Sequence, residues 1–337
     1  MKIFLARHNK WQRIERPFAA RNSKIEQQKP SNSNHLSLKT IKTGLNLPVC
    51  YFFCNFACTN YIRDELKKMK ANKILFISQE ITPFVPESPM ANAGRYLPQA
   101  TQDLGKEIRI FTPKWGNINE RRNQLHEVIR LSGMNLIIND TDHPLIIKVA
   151  SLQAARMQVY FIDNDDYFHN RLMTSDADGN DYNDNDERAI FFARGVLETV
   201  KKLRWCPEVI HCHGWISALI PLYVKSTHKD EPSFRDSKIV ISLYDDNFKT
   251  DFPDNFPDKI FNNEIPEGMI EGIKTPISYI ELAKLAIRHS DGVILNGDNI
   301  PQEIIDYAQS LGKPVQPRCS EEEYATACND FYDKVME

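Results

Sequence analysis

From residue 72 onward, short apolar runs alternate with longer stretches whose apolar residues recur at helical spacing. Strands are expected at 73–78, 107–111, 145–150, 157–162, 208–212, 238–243 and 292–295. Most are continuous apolar runs such as "KILFIS", the pattern of strands covered on both faces of a parallel sheet. Helices are expected at 94–104, 184–203, 214–227, 276–289, 299–310 and 320–335. The second opens on acidic residues and closes on lysines ("DNDERAIFFARGVLETVKKL"), which complements the helix dipole. Residues 113–144 read as a β-hairpin or loop insertion. Residues 244–275 read as loop, with "DFPDNFPDK" as turn punctuation. The alternation predicts an α/β fold, a single doubly wound Rossmann-like domain over 69–315. Residues 316–337 are expected to supply a connector and a closing helix packed back on that domain.

The N-terminal stretch departs from this pattern. Residues 1–44 have no sustained apolar period and are rich in Asn, Ser, Gln, Lys and Arg. Such a segment buries too little apolar surface to offset the entropy of ordering. Charge sharpens the contrast: residues 1–68 hold 13 Lys+Arg against 4 Asp+Glu, and the remainder holds 29 against 41. The first 68 residues are therefore expected to be a basic, disordered extension, or to lie upstream of a true start at Met69. An Arg-rich, acid-poor transit peptide is the rival reading. The acidic remainder argues against nonspecific nucleic-acid binding. No run of about 18 apolar residues occurs, so no membrane span is expected. The seven cysteines are odd in number and widely spaced, and no secretory leader is evident, which points to a reducing cytoplasm. "CYFFCNFAC" sets three thiols one helical turn apart, but no fourth ligand stands near them, so no metal is expected.

Between the first strand and the first helix lies "ITPFVPESPMANAGRYLP". A strand, a loop and a helix in that order is where α/β proteins gather phosphate ligands. Such loops normally carry glycines, which let backbone N–H groups approach the phosphate. Here Pro83, Pro86 and Pro89 occupy the loop, and the first glycine is Gly94.

Taken together, "KILFISQEITPF", "LPQATQDLGKEIRIFTPKWG", "VYFIDNDDYFHNRL", "DGNDYNDNDERAIFFARGVLE" and "CPEVIHCHGWISALIPLYVK" resemble the N-terminal catalytic domain of bacterial glycogen and starch synthases. The resemblance runs from Lys73 to Val315. It implies one half of a two-Rossmann, B-type glycosyltransferase, present without its C-terminal domain. It also implies transfer of glucose from ADP-glucose or UDP-glucose to an α-1,4-glucan or maltooligosaccharide, with no metal or other cofactor. His213 matches the family histidine near the sugar and is the expected catalytic residue. Glu80, Asp163, Asp184, Arg188, Trp215 and Tyr244 are the expected substrate-binding residues.

Three departures stand out. The family's Lys-x-Gly-Gly falls on Pro86-Glu87-Ser88-Pro89, which offers no cation and no proline N–H to a phosphate. In the family's His-Asp-Trp-His, Gly214 and Ile216 replace the aspartate and the second histidine. Tyr244-Asp245 stands where the family carries His-Asn. These losses suggest an alternative: a non-catalytic module that binds glucan or a partner synthase. A separate glycosyltransferase polypeptide would be the partner that completes the cleft. Other readings of single residues stay open. Asp184 and Arg188 could be an i, i+4 ion pair, and Trp215 could simply pack. In an unrelated α/β enzyme, the carboxylates of "LYDDN" and "FIDNDD" could hold a divalent cation.

Overall fold

A computed structural model describes residues 71–261 and 265–337. The expectations for residues 1–68, including the three clustered thiols, lie outside the described residues. Ten strands form one sheet: β1 (Lys73–Ser78), β2 (Glu107–Pro113), β3 (His126–Glu127), β4 (Met134–Ile138), β5 (Thr141–Leu152), β6 (Met157–Asp163), β7 (Val209–His213), β8 (Lys238–Leu243), β9 (Gly292–Leu295) and β10 (Val315–Gln316). Their order is β10-β9-β8-β7-β1-β2-β6-β5-β3, with β4 paired to β5. From β10 to β6 every pairing is parallel. β5 runs antiparallel to β3, β4 and β6, and the short β3 ends the sheet on that side.

The described helices are α1 (Pro89–Asp103), α2 (Asp165–Phe168), α3 (Asn185–Leu203), α4 (Ile220–Lys225), α5 (Phe256–Phe261), α6 (Tyr279–His289), α7 (Gln302–Ser310) and α8 (Glu321–Met336). β8 separates two helical layers. Ser242 faces His211 and, through it, Tyr332 of α8. Ile241 and Leu243 line a small space with Ala218 and with Ala283 of α6. No helix among the described residues is long and apolar enough to cross a membrane. Cys206, Cys212, Cys319 and Cys328 are free thiols.

Three elements differ from the sequence expectation. α1 starts at Pro89 rather than at residue 94, because Ser88 caps it by accepting the Ala91 N–H and proline suits the first turn. The expected helix over 214–227 is a 3-10 turn, Trp215–Ser217, followed by α4, which begins at Ile220-Pro221. The loop expected over 244–275 contains α5. The hairpin expected within 113–144 is present in β4–β5, turned by Asn139 and Asp140 at φ 49° and 59°. Two consecutive left-handed residues are what a type I′ turn requires.

The chain runs outward through β1, β2 and β6, returns along α3, and resumes at β7 on the other side of β1. That reversal places a topological switch between β1 and β7. The crevice beyond their carboxyl ends is where open α/β sheets bind ligands.

Candidate functional site at the β1–β7 switch

His213 ends β7, in register with Ser78 of β1 and Ser242 of β8. Gly214 follows at φ 82°, and a Cβ there would lie 2.9 Å from both Gln79 Cβ and Met90 Sδ. Conformation and space both demand glycine. The turn is tied to β1 by Gln79, whose Oε1 accepts the Ile216 N–H at 3.3 Å. The Gln79 carbonyl accepts the Trp115 indole N–H at 2.7 Å. From β8, Asp246 Oδ2 accepts the Trp215 N–H at 2.9 Å, and the Tyr279 hydroxyl donates to Oδ1 at 3.3 Å. Burial pushes the Asp246 carboxyl up to about 7; the Trp215 N–H opposes that shift and the nearby Glu80 charge adds to it.

The His213 ring is fully buried. Its Nδ1 lies 2.8 Å from Tyr244 Oη, and its Nε2 has no partner among the described residues. Burial lowers its pKa to about 3, so the ring is neutral at pH 7. A neutral imidazole that accepts from Tyr244 carries its proton on Nε2. His211, with its ring centroid 3.9 Å away, is fastened by Tyr332 Oη and Ser242 Oγ, each at 2.7 Å. Trp215 is buried edge-on against Phe248 and Phe252. Glu80 follows β1, and Ser88 Oγ donates to its carboxylate. A fixed negative charge thus stands beside the amino terminus of α1. That is the position where a helix would otherwise welcome an anion.

The remaining expected residues sit on the β6–α3 side. Asp163 is buried against Lys148 Nζ at 2.8 Å, and Lys148 also meets Glu120 at 2.7 Å. Asp184 pairs with Arg171 at 2.5 Å, not with Arg188. Arg188 is fully buried and donates to Asn185 Oδ1 and Met173 O, each at 2.7 Å. Its guanidinium lies over the rings of Trp115, Phe168 and Tyr182 at 5.1, 5.5 and 5.1 Å. Burial pulls its pKa down to about 10. Beside this cluster opens a groove of about 530 Å3, walled by Arg171, Tyr182, Asn183, Asp184, Glu187 and Lys259. Glu80, His213, Trp215 and Tyr244 thus gather at the switch, Asp184 at the groove, and Asp163 and Arg188 in the packing beneath.

Sequence reasoning did not place Gln79, Arg171 and Tyr182 among the site residues, and raised Asp246 only as one of the "LYDDN" carboxylates that could hold a cation. Asp246 carried one available signal, its place just past a strand end in "LYDDN". The neighbouring carboxylates are structural fastenings. Asp245 accepts the N–H groups of Asp298 and Asn299 at 2.9 and 2.8 Å, and Asp166 pairs with His143 at 2.9 Å. Among the described residues no group of three His, Cys, Asp or Glu is placed to hold a metal ion.

The family model of the starch synthase catalytic domain matches residues 73–313. The chain belongs to that family. The glycogen synthase of Chlorobium phaeobacteroides is 36% identical over 220 residues, covering 65% of this chain and 44% of the relative. That of Pelodictyon phaeoclathratiforme is 34% identical over 242 residues, 71% of this chain and 49% of the relative. The chain therefore spans about half the length of the curated relatives it matches. The catalytic domain of starch synthase IV from Arabidopsis thaliana, solved bound to ADP and acarbose, shares the fold with a TM-score of 0.58 at 14% identity. The match covers 74% of this chain and 51% of that one. The fold is the Rossmann-like half of a two-domain glycosyltransferase. Ser88 and Pro89, in the stretch expected to match the family's Lys-x-Gly-Gly, serve as helix cap and first helical residue.

Proposed function

We propose that the chain supplies the acceptor-binding half of a glycogen/starch-synthase-type glucosyltransferase, holding an α-1,4-glucan end while glucose arrives from ADP-glucose or UDP-glucose. The carrying observation is the groove beside Asp184, which joins the Tyr182 ring to five side chains rich in hydrogen-bonding groups. An apolar ring face with convergent polar groups is a surface suited to a sugar ring. At the neighbouring switch, Nε2 of His213 is unpaired among the described residues, but the ring is fully buried, so it can donate to a sugar hydroxyl only after the side chains covering it move. A neutral donor there orients substrate rather than supplying a proton. In the transfer, the glucosyl C1–oxygen bond to the diphosphate breaks and a bond from C1 to the acceptor hydroxyl forms. The hydroxyl proton leaves with the diphosphate.

Departure of the diphosphate requires positive charge or N–H donors. Glu80 at the amino terminus of α1 offers neither, and this favours the second reading, a module that binds glucan without transferring glucose by itself. A separate glycosyltransferase polypeptide would then supply the donor side.

Calorimetry with maltooligosaccharides, ADP-glucose and UDP-glucose, beside transfer of labelled glucose to glycogen, tests both readings. Glucan binding is expected, weakened at least about tenfold by Tyr182→Ala. Turnover by the chain alone, abolished in His213→Ala, supports the transferase. Glucan binding without turnover or nucleotide binding supports the module. A chain that binds no glucan at about 10 mM sinks both.

A further inference from the structure

At the opposite end of the same strands lies a second cavity, of about 340 Å3. Ile108 and Arg109 enter it from the start of β2, and Met157 and Gln158 from the start of β6. Trp115 and Asp163, by contrast, stand at the other ends of these strands. The cavity is therefore distinct from the crevice described above. Its polar wall is Arg109, Arg156, Gln102, Gln158 and Ser151, with no acidic residue among the lining groups. That is unusual for a chain whose residues beyond 68 hold 41 Asp+Glu against 29 Lys+Arg.

Two features of the arginines point to a ligand. Arg156 caps the 3-10 turn Gln153–Ala155 at φ 52°, donating its N–H to Gln153 O, a conformation that glycine would accept freely. Its guanidinium makes no ion pair among the described residues. Arg109 has a buried Nε without a partner among the described residues, although it stacks over Trp205 and donates to Tyr160 Oη at 3.3 Å. The nearest counter-charge is Glu107, 3.8 Å from Arg109 and outside the lining. Glu107 is itself engaged by the Trp205 indole N–H at 2.7 Å.

We propose that this cavity is a binding site for a small phosphate-bearing metabolite, gripped by Arg109 and Arg156 with Gln102, Gln158 and Ser151 receiving its polar remainder. Guanidinium forks match phosphate oxygens in pairs, and amide and hydroxyl side chains both donate and accept to hydroxyls. The site goes beyond the proposed glucan function and does not depend on it.

The test is calorimetry at low ionic strength on the full chain, with pyrophosphate, a pentose phosphate and the free pentose. Both phosphate compounds are expected to bind and the free pentose is not. The tighter of the two tells an inorganic from an organic ligand. Arg156→Gly should weaken binding at least about tenfold while leaving the unfolding midpoint unchanged or raised, since glycine relieves the backbone. Gln158→Glu, which adds a repelling charge, should do the same to binding. Maltooligosaccharide should neither compete nor be displaced. Absence of phosphate binding at about 10 mM, or binding indifferent to both substitutions, overturns the proposal.

Discussion

Asp246 and His213 titrate in opposite senses. Asp246 has its pKa raised from 3.8 to about 7 in the fold, so its contribution to stability is complete below 3.8 and is lost as pH rises through about 7. The loss approaches about 4 kcal/mol, an upper figure for a shift of this size. Glu80, Tyr279 and the Trp215 N–H are the groups that face it. His213 is lowered from 6.5 to about 3, and His211 well below 6.5, so their contribution is complete above 6.5 and is lost in acid. Between 3.8 and 6.5 the two effects oppose each other, so these groups predict a net loss of stability below about 3.8 and above about 6.5. Asp246→Asn should gain on the wild type as pH is raised from about 5 to about 9, in urea titrations across that range. Parallel curves would show that the carboxyl ionises freely. Gly214→Ala should cost about 1–3 kcal/mol by the same titration, from the left-handed φ and the clash with Gln79 and Met90. The places of these residues were legible, because a histidine or aspartate just past an apolar run marks a strand end. Their partners were not. Nothing in the sequence says that Asp184 turns to Arg171, or that Arg188 sinks under three aromatic rings.

Among elements, continuous apolar runs were the readable ones, and β1, β8 and β9 match their expected residues end to end. Burial on both faces leaves little else for such runs to be. Helix starts were harder, because proline marks both turns and first helical turns. At Pro89 and Pro221, and at Pro257 in the first turn of α5, the second meaning holds. The antiparallel direction of β5 was also hidden, since it depends on the short turns at Asn139–Asp140 before it and at 153–156 after it, and not on hydropathy. Ser88 carries the start of α1 in two ways, capping Ala91 and holding the Glu80 carboxylate. Ser88→Ala should cost about 1 kcal/mol in urea unfolding. Ser88→Asp should keep the cap and repel Glu80, so a cost greater than that of alanine would confirm that the Glu80 contact matters. Equal stability of Ser88→Ala and wild type would remove the cap argument.

For the whole molecule, the decisive element is α8. It lies on the sheet face that carries His211, and Tyr332 donates or accepts at 2.7 Å with that ring. Its Phe331 and Val335 fill the space left by Gly292, where a Cβ would come within 2.9 Å of both. Asn329 reaches Thr101 of α1 at 3.1 Å, and Asp333 accepts the Ala71 N–H at 3.0 Å. Cys328, Phe331, Tyr332 and Val335 are all buried. At about 1.5–3 kcal/mol for each large apolar side chain, their burial rivals the ~5–15 kcal/mol that separates a folded domain from its unfolded chain. A chain ending at residue 319 should thus lose cooperative unfolding by circular dichroism, and glucan binding with it. Tyr332→Phe offers a gentler probe. It keeps the packing but leaves a buried His211 nitrogen unpaired, at about 1–3 kcal/mol. If the shortened chain instead stays cooperatively folded and binds glucan more tightly, α8 is a removable cover over the histidine face rather than part of its core. His213 would then owe its burial to a helix that can leave.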